Sequence, residues 1–335
     1  MPLRELIIFG FATGLSALLT AFVRRHALAI SMLDIPNARS SHLHATPRGG
    51  GLAIALVLVA GIVALWMQGA VVVTVLIACA LGGAIVAAVG YLDDRHGLPA
   101  LPRLLVHVAA VGIAMILLLP SPLSGSVALA QVMAYGVLAV GAIWSINLFN
   151  FMDGIDGIAA SQAAFMSGAM AILVGDVGGD SAWSSLCALT AGGSVGFLLW
   201  NWPPARIFMG DVGSGFLGFW IAIMAIALHL SGVLSIWTSI TLGSIFLADA
   251  TTTLFRRVLS GQRWYEAHRT HAYQILARKW SSHRKVTVLT WSINLLVVLP
   301  LAYASTVWTD VAMLIALGLV TSLGAVCFAI GAGRS

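Results

Sequence analysis

The chain reads as long apolar runs separated by short polar breaks, and the runs are of membrane-crossing length. A helix needs roughly 20 mainly apolar residues to cross a bilayer. Eleven stretches qualify, near 3–23, 50–67, 70–91, 103–120, 129–150, 158–175, 182–200, 215–231, 233–255, 286–304 and 309–331. The third, fourth and eighth are the cleanest, whereas the division between the eighth and ninth rests on Ser231-Gly232. This pattern predicts an all-α, polytopic integral membrane protein of about 11 transmembrane helices, with residues 1–335 as one domain. No polar segment is long enough to bury a core of its own.

The first run could be mistaken for a signal peptide, but it is too long, and the Arg24-Arg25 pair follows it instead of preceding it. That predicts an uncleaved anchor with the N-terminus outside. Eleven crossings then put the C-terminus in the cytoplasm, together with loops 24–48, 92–102, 201–214 and 256–285. On this topology 16 of the 17 Lys and Arg are cytoplasmic and only Arg4 is outside, as the positive-inside rule requires.

Composition agrees: 60% of residues are hydrophobic, 9% are charged and the mean hydropathy is +0.99, which excludes an ordinary soluble domain. The net charge of +5 becomes a basic cytoplasmic face suited to anionic headgroups or phosphate substrates, not to nucleic acid. Cys79, Cys187 and Cys327 fall inside apolar runs without CxxC spacing and read as buried thiols.

Carboxylates are few, so their placement is informative. Asp93-Asp94 closes the third run. A negative pair at a helix C-terminus opposes the macrodipole, so either it is a solvated helix end or it has a cationic or metal partner. In Asn147-Leu-Phe-Asn150-Phe-Met-Asp153-Gly-Ile-Asp156-Gly, polar groups recur every three residues and form a strip at the end of the fifth run. Asp211, framed by Gly210, Gly213 and Gly215 with Ser214 nearby, opens the eighth run, where free N–H groups can bind phosphate. Hard oxygen ligands point to Mg2+, with Mn2+ as a substitute, held by one or two carboxylates and substrate oxygens. Asp249 and Arg256 share a helix face, which leaves open a structural ion pair between helices or a part in the site. The loop that follows carries His268-Arg269-Thr-His271-Ala-Tyr273-Gln274, rich in phosphate-binding donors.

In chain order, TPRGGG at 46–51, DD at 93–94, NxxNxxDGxDG at 147–157, NxPPAxxFMGDVGS at 201–214 and HRTHAYQ at 268–274 resemble the polyprenyl-phosphate N-acetylhexosamine-1-phosphate transferase family. The resemblance runs from about Asp34 to Gln274. It implies transfer of a sugar-1-phosphate from a UDP-sugar donor to undecaprenyl phosphate, releasing UMP, at the cytoplasmic face of a bacterial inner membrane. It implies Asp211 as the metal ligand, with Asp93 and Asp94 on the polyprenyl phosphate and its activation. Asp153 joins them as a catalytic candidate, and Asn150, Asp156, Asn201 and Phe208 map to the nucleotide side. His268, Arg269 and His271 map to the phosphates or the sugar. The partners are the two substrates and membrane lipid, with a homodimer left open.

Where relatives that transfer muramoyl-pentapeptide carry consecutive histidines and TPTMGG, this chain has His268-Arg-Thr-His271 and TPRGGG. The wording is closer to the branch that initiates O-antigen or other surface polysaccharides. Peptidoglycan-precursor transfer is the near alternative, and a membrane transporter is the alternative from another class.

Overall fold

The computed structural model describes residues 2–36, 45–119, 129–262 and 268–334. Along them run α1 (Leu3–Ala29), α2 (Gly51–Met67), α3 (Val73–His96), α4 (Ala100–Leu118), α5 (Leu129–Met152), α6 (Ile158–Asp176) and α7 (Ser181–Asn201). There follow α8 (Asp211–Leu230), α9 (Ile236–Leu242), α10 (Ser244–Leu259), α11 (Ala272–Trp280), α12 (His283–Ile293), α13 (Leu299–Val307) and α14 (Ala312–Ile330). A π-helical turn, Asn294–Val298, fuses α12 and α13 into one run. Two short strands, β1 (Leu33–Asp34) and β2 (Thr46–Pro47), pair antiparallel with Leu33 opposite Pro47.

Among the described residues nine helices are long and apolar enough to cross a membrane, counting α12–α13 as one. The protein is therefore an all-α multi-pass membrane protein. Helix α2, with 17 residues, is shorter. The expected ninth run is not one helix, since α9 and α10 meet at Gly243. Its boundary with the eighth falls where the sequence placed it, in a turn where Gly232 takes φ +72°. The expected 92–102 loop shrinks to three residues, because α3 continues through His96 and α4 starts at Ala100. The expected 256–285 loop is largely helical, through the end of α10, all of α11 and the start of α12.

Helices α6, α7 and α8 form the enclosed centre, with at least 83% of each apolar window buried. Helix α7 lies between α1 and α6, and α8 lies between α3 and α5. Lipid offers no hydrophobic drive for helix association, so contact depends on close backbone approach at small residues. Gly192 and Gly196 of α7 show this: a Cβ there would stand 2.4 Å from the Phe9 carbonyl oxygen and 2.3 Å from that of Thr13. The ends of α3, α5 and α7, the starts of α4, α8, α11 and α12 and the turns that join them carry Asp93, Asp94, Asn150, Asp153, Asp156, Asn201, Asp211 and His271. Their mutual contacts, given below, bring these ends together.

Candidate active site

Helix α8 begins at Gly210, which has no side chain to cap it and takes φ +76°. The cap comes from α3. Asp94 accepts from the Asp211 N–H at 3.0 Å through Oδ1 and from the Val212 N–H at 3.1 Å through Oδ2. A Cβ on Gly210 would lie 2.4 Å from Asp94 Oδ2, so the glycine makes the approach possible. Arg48 Nη2 donates to the Asp94 carbonyl oxygen. Asp94 is 4% exposed and fully engaged.

Its neighbour Asp93 points elsewhere. Oδ1 accepts from the Leu98 N–H at 2.6 Å, and Oδ2 meets Arg103 Nη1. The same Arg103 nitrogen lies 2.9 Å from Asp211 Oδ2. Asp211 Oδ1 accepts from Asn150 Nδ2 at 2.8 Å, and that amide also reaches Ser214 Oγ at 3.3 Å. Four helices (α3, α4, α5 and α8) thus meet at one polar knot with Asp211 at its centre.

Asp153, in the turn after α5, has no side-chain hydrogen bond among the described residues. Burial first, and then the carboxylates of Asp211, Asp94 and Asp156, raise its carboxyl well above the usual carboxylate range.

The donor set fits a divalent cation. Asp93 and Asp211 aim oxygens at one cationic nitrogen, and all the side chains around it are hard oxygen or amide ligands. Among the described residues no group of three or more His, Cys, Asp or Glu is gathered closely enough to hold a metal. Magnesium typically takes only one or two protein carboxylates and fills its shell with substrate oxygens and water, so Asp211 with Asp93 would suffice.

Other expected residues build the frame. Asn201 is 2% exposed. It accepts from the Gly157 N–H at 2.9 Å and donates to the Ile207 carbonyl at 2.9 Å. Its amide therefore ties α6 to the 202–210 segment. Asp156 accepts from the Ala205 N–H at 3.0 Å and faces His283 Nδ1 at 3.3 Å. Phe208 donates its N–H to the Pro47 carbonyl at 2.8 Å and accepts from the Gly50 N–H at 2.9 Å. That pairing lays the glycine triplet against the start of α8, where a Cβ on Gly51 would be 2.1 Å from Gly213 Cα.

The histidine segment is fastened beside the α5–α6 turn. Tyr273 Oη donates to the Phe151 carbonyl at 2.9 Å. Gly154 leaves room for it, since a Cβ there would be 2.2 Å from that hydroxyl. The Gly333 N–H donates to the Thr270 carbonyl at 2.8 Å. His268 and His271 stack with centroids 4.9 Å apart. Burial, then the neighbouring His271 and Arg257, hold His268 down at about 4, so it is neutral near pH 7. Asp249 faces His271 Nδ1 at 3.3 Å. Asp249 thus pairs across elements and not with Arg256 on its own helix. Arg256 Nη1 instead donates to the Phe328 and Ala332 carbonyls, with its guanidinium 4.2 Å from the Phe328 ring centroid. Arg39, His42, His44, Arg263 and Glu266 lie outside the described residues.

Two cavities flank the knot along the chain. One, of about 760 Å³, is lined by Gly154, Ile155, Asp156, Pro203, Pro204, Arg269, Gln274, Arg278, His283 and Arg284, among others. The other, of about 580 Å³, is apolar and lies between α5, α8, α9 and α10, with Leu148, Phe149, Ile221, Ala225 and Phe246 in its wall. Asn150 and Asp153 sit in sequence between the two linings.

Sequence reasoning did not select Arg103 or Arg48 as site residues. Arg103 had a readable signal, being a cation in the first turn of an apolar run directly after the acidic pair.

The glycosyl transferase family 4 profile matches residues 76–229. A probable undecaprenyl-phosphate N-acetylglucosaminyl 1-phosphate transferase of Bacillus subtilis (strain 168) is 30% identical over 305 residues, covering 86% of this chain and 82% of the relative. A decaprenyl-phosphate N-acetylglucosaminephosphotransferase of Mycolicibacterium smegmatis is 28% identical over 324 residues, covering 87% and 80%. A phospho-N-acetylmuramoyl-pentapeptide-transferase of Synechococcus sp. (strain RCC307) is 33% identical over a shorter 240 residues, 63% of this chain and 64% of the relative.

Proposed function

The chain belongs to glycosyl transferase family 4, the polyprenyl-phosphate N-acetylhexosamine-1-phosphate transferases, and on that premise we propose that it transfers an N-acetylhexosamine 1-phosphate from a UDP-sugar to undecaprenyl phosphate. The observation that carries this reading is the arrangement at the end of α5. A basic polar cavity and an apolar cavity lie on either side, in sequence, of Asn150 and Asp153. A transferase joining a water-soluble diphosphate to a lipid phosphate needs both kinds of space beside one reacting centre. The Bacillus and Mycolicibacterium relatives, each matched over most of the chain, are named for N-acetylglucosamine transfer, which favours that sugar over muramoyl-pentapeptide. The product would initiate a lipid-linked glycan, such as an O-antigen unit, on the cytoplasmic face of a bacterial inner membrane.

In the reaction an oxygen of the lipid phosphate attacks the phosphorus that bears the sugar. A new P–O–P linkage forms, the bond to the UMP oxygen breaks, and UMP leaves. Bringing two anions together is the obstacle, so positioned positive charge and hydrogen-bond donors carry much of the catalysis. A magnesium ion held by Asp211, with Asp93 alongside, would supply charge neutralisation at the diphosphate. Arg103, free to exchange its carboxylate partners for phosphate, draws the phosphates to the knot, and Asn150 orients Asp211 from α5. Asp153, with no side-chain hydrogen bond among the described residues and a raised carboxyl, is suited to take the proton of a phosphate monoester. The Arg269, Arg278 and Arg284 side of the basic cavity receives the nucleotide diphosphate, with Asp156 in its wall and Asn201 fixing the adjacent 202–210 segment; Phe208 lies beyond it, paired with the Pro47–Gly50 backbone.

The test is direct. Purified protein with Mg2+, undecaprenyl phosphate and a panel of UDP-N-acetylhexosamines should release UMP and form a lipid-linked sugar diphosphate. Absence of UMP release with every donor would refute the reading.

A further inference from the structure

We propose that Asp249 is a positioning residue for the phosphoryl transfer, acting through His271 to present Nε2 to a phosphate oxygen; this rests on the transferase reading above. Asp249 projects from α10 and is 3% exposed. It accepts from the Ala272 N–H at 2.9 Å, the Tyr273 N–H at 2.9 Å and Thr253 Oγ1 at 3.0 Å. These bonds cap α11, as Asp94 caps α8. The fourth contact differs in kind, being the 3.3 Å approach of His271 Nδ1 to Oδ1. The same side chain faces the Gln274 N–H in the reciprocal cap of α11, so Nδ1 lies between that donor and the Asp249 carboxylate; when Nδ1 donates to the carboxylate, the neutral ring keeps its lone pair on Nε2.

That Nε2 is buried and has no hydrogen-bond partner among the described residues. The His271 side chain is nearly inaccessible, and its ring cannot turn to find a partner. His268 stacks on it at 4.9 Å, Phe151 stacks at 6.3 Å, and the ring is pinned at Nδ1. Buried polar atoms are normally satisfied, so an orphan beside a candidate site calls for a missing partner. Phe151 and Tyr273 connect this ring to the turn that carries Asp153, and Arg269 and Gln274 connect it to the basic cavity. The chemistry that satisfies Nε2 there is a phosphate oxygen. The P–OH proton can bond to the Nε2 lone pair, or it can cross to Nε2, whose N–H then donates to P–O⁻. Either arrangement keeps Nδ1–H on Asp249. The lipid acceptor, a phosphate monoester, can carry that P–OH near neutral pH; the nucleotide-sugar diphosphate cannot, and would instead meet an Nε2–H whose proton comes from solvent.

The experiment compares Asp249→Asn, His271→Ala and the double variant in detergent, measuring kcat, KM for each substrate and thermal stability. Asp249→Asn should lower kcat by about 10–100-fold, the usual loss when a partner orienting an active-site imidazole is removed. In the His271→Ala background the same change should lower kcat less than twofold further, while thermal stability falls similarly in both backgrounds because the α11 cap is lost in both. A rise in KM for the nucleotide-sugar assigns Nε2 to the donor diphosphate, and a rise for polyprenyl phosphate assigns it to the acceptor. If Asp249→Asn does not fold, His271→Asn and His271→Gln carry the test. Asparagine can keep the bond to Asp249 without reaching the Nε2 position, so stability should hold while turnover drops; glutamine reaches that position and should recover part of it. Multiplicative kcat losses in the double variant, or wild-type turnover in His271→Asn, would overturn the proposal. A wild type that releases no UMP would instead overturn the transferase reading itself.

Discussion

Asp94→Asn separates a structural carboxylate from a chemical one. Asp94 holds two backbone N–H groups of the first turn of α8, at 3.0 and 3.1 Å, in a setting where water does not replace it. Each buried donor left unpaired costs about 1–3 kcal/mol. Asparagine keeps one acceptor oxygen and turns the other position into a donor facing a donor, so roughly 1–3 kcal/mol should be lost. Alanine orphans both N–H groups and should lose about 2–6 kcal/mol. At roughly 2–4 °C per kcal/mol for chains of a few hundred residues, Asp94→Asn should melt several degrees below wild type and Asp94→Ala lower still. Asp93→Asn is the internal control, because Asp93 accepts only one backbone N–H and otherwise faces Arg103. Its melting point should move less than that of Asp94→Asn while its UMP release falls more per degree lost. Thermal unfolding in one detergent, scored beside UMP release, makes the comparison. If Asp94→Asn melts with wild type yet is inactive, Asp94 acts on substrate and the capping argument fails.

Other outcomes follow from the same contacts. Asp211→Asn should nearly abolish turnover with stability close to wild type, and excess Mg2+ should not restore it; wild-type rates at limiting Mg2+ would remove Asp211 from metal binding. His268 is held at about 4, below its ordinary 6.5, so between these values the unfolded chain binds more protons than the folded one. Its contribution to stability is therefore complete above about 6.5 and declines as pH falls toward 4. Melting curves of wild type and His268→Asn should then converge or cross as pH drops from 7 to 4, and parallel curves would refute the placement. Finally, a single cysteine at position 96 in a background lacking the other cysteines should react with an impermeant reagent only after cells are opened; labelling of intact cells would invert the topology.

Much of the fold was legible because bilayer thickness imposes a length on every crossing, and the apolar runs display it. What the runs did not show is the break at Gly243. No charged residue precedes Asp249 in α9 or α10, and the carbonyl freed near the break is satisfied from afar, by Gln162 Nε2 at 3.0 Å from the Leu242 oxygen. The loop at 92–102 was overestimated for a related reason: Asp93 to His96 are polar but helical, and Gly97, with φ +67°, ends the helix after them. Polarity marked the membrane boundary, not the helix boundary.

The site was legible as a set of residue types gathered at one face, but not as a division of labour. Asp93 and Asp94 are adjacent and identical, yet one faces Arg103 and the other caps α8, because successive residues on a helix point about 100° apart. Asn201 was expected on the nucleotide side, and its amide bonds two backbone groups, a tie the sequence did not show. Asp249 left open an ion pair between helices, and the start of α11 supplies its partners: two N–H groups that satisfy a buried carboxylate without desolvating an arginine, and the facing His271. The same device thus occurs twice. A carboxylate from inside one helix caps the helix that carries the next chemical group, Asp94 for the one bearing Asp211 and Asp249 for the one that follows His271. Fixing a helix start this way orients its first residues without using their own side chains. That leaves Asp211 and His271 Nε2 for substrate, and it explains why acidic residues at this face outnumber those the chemistry itself needs.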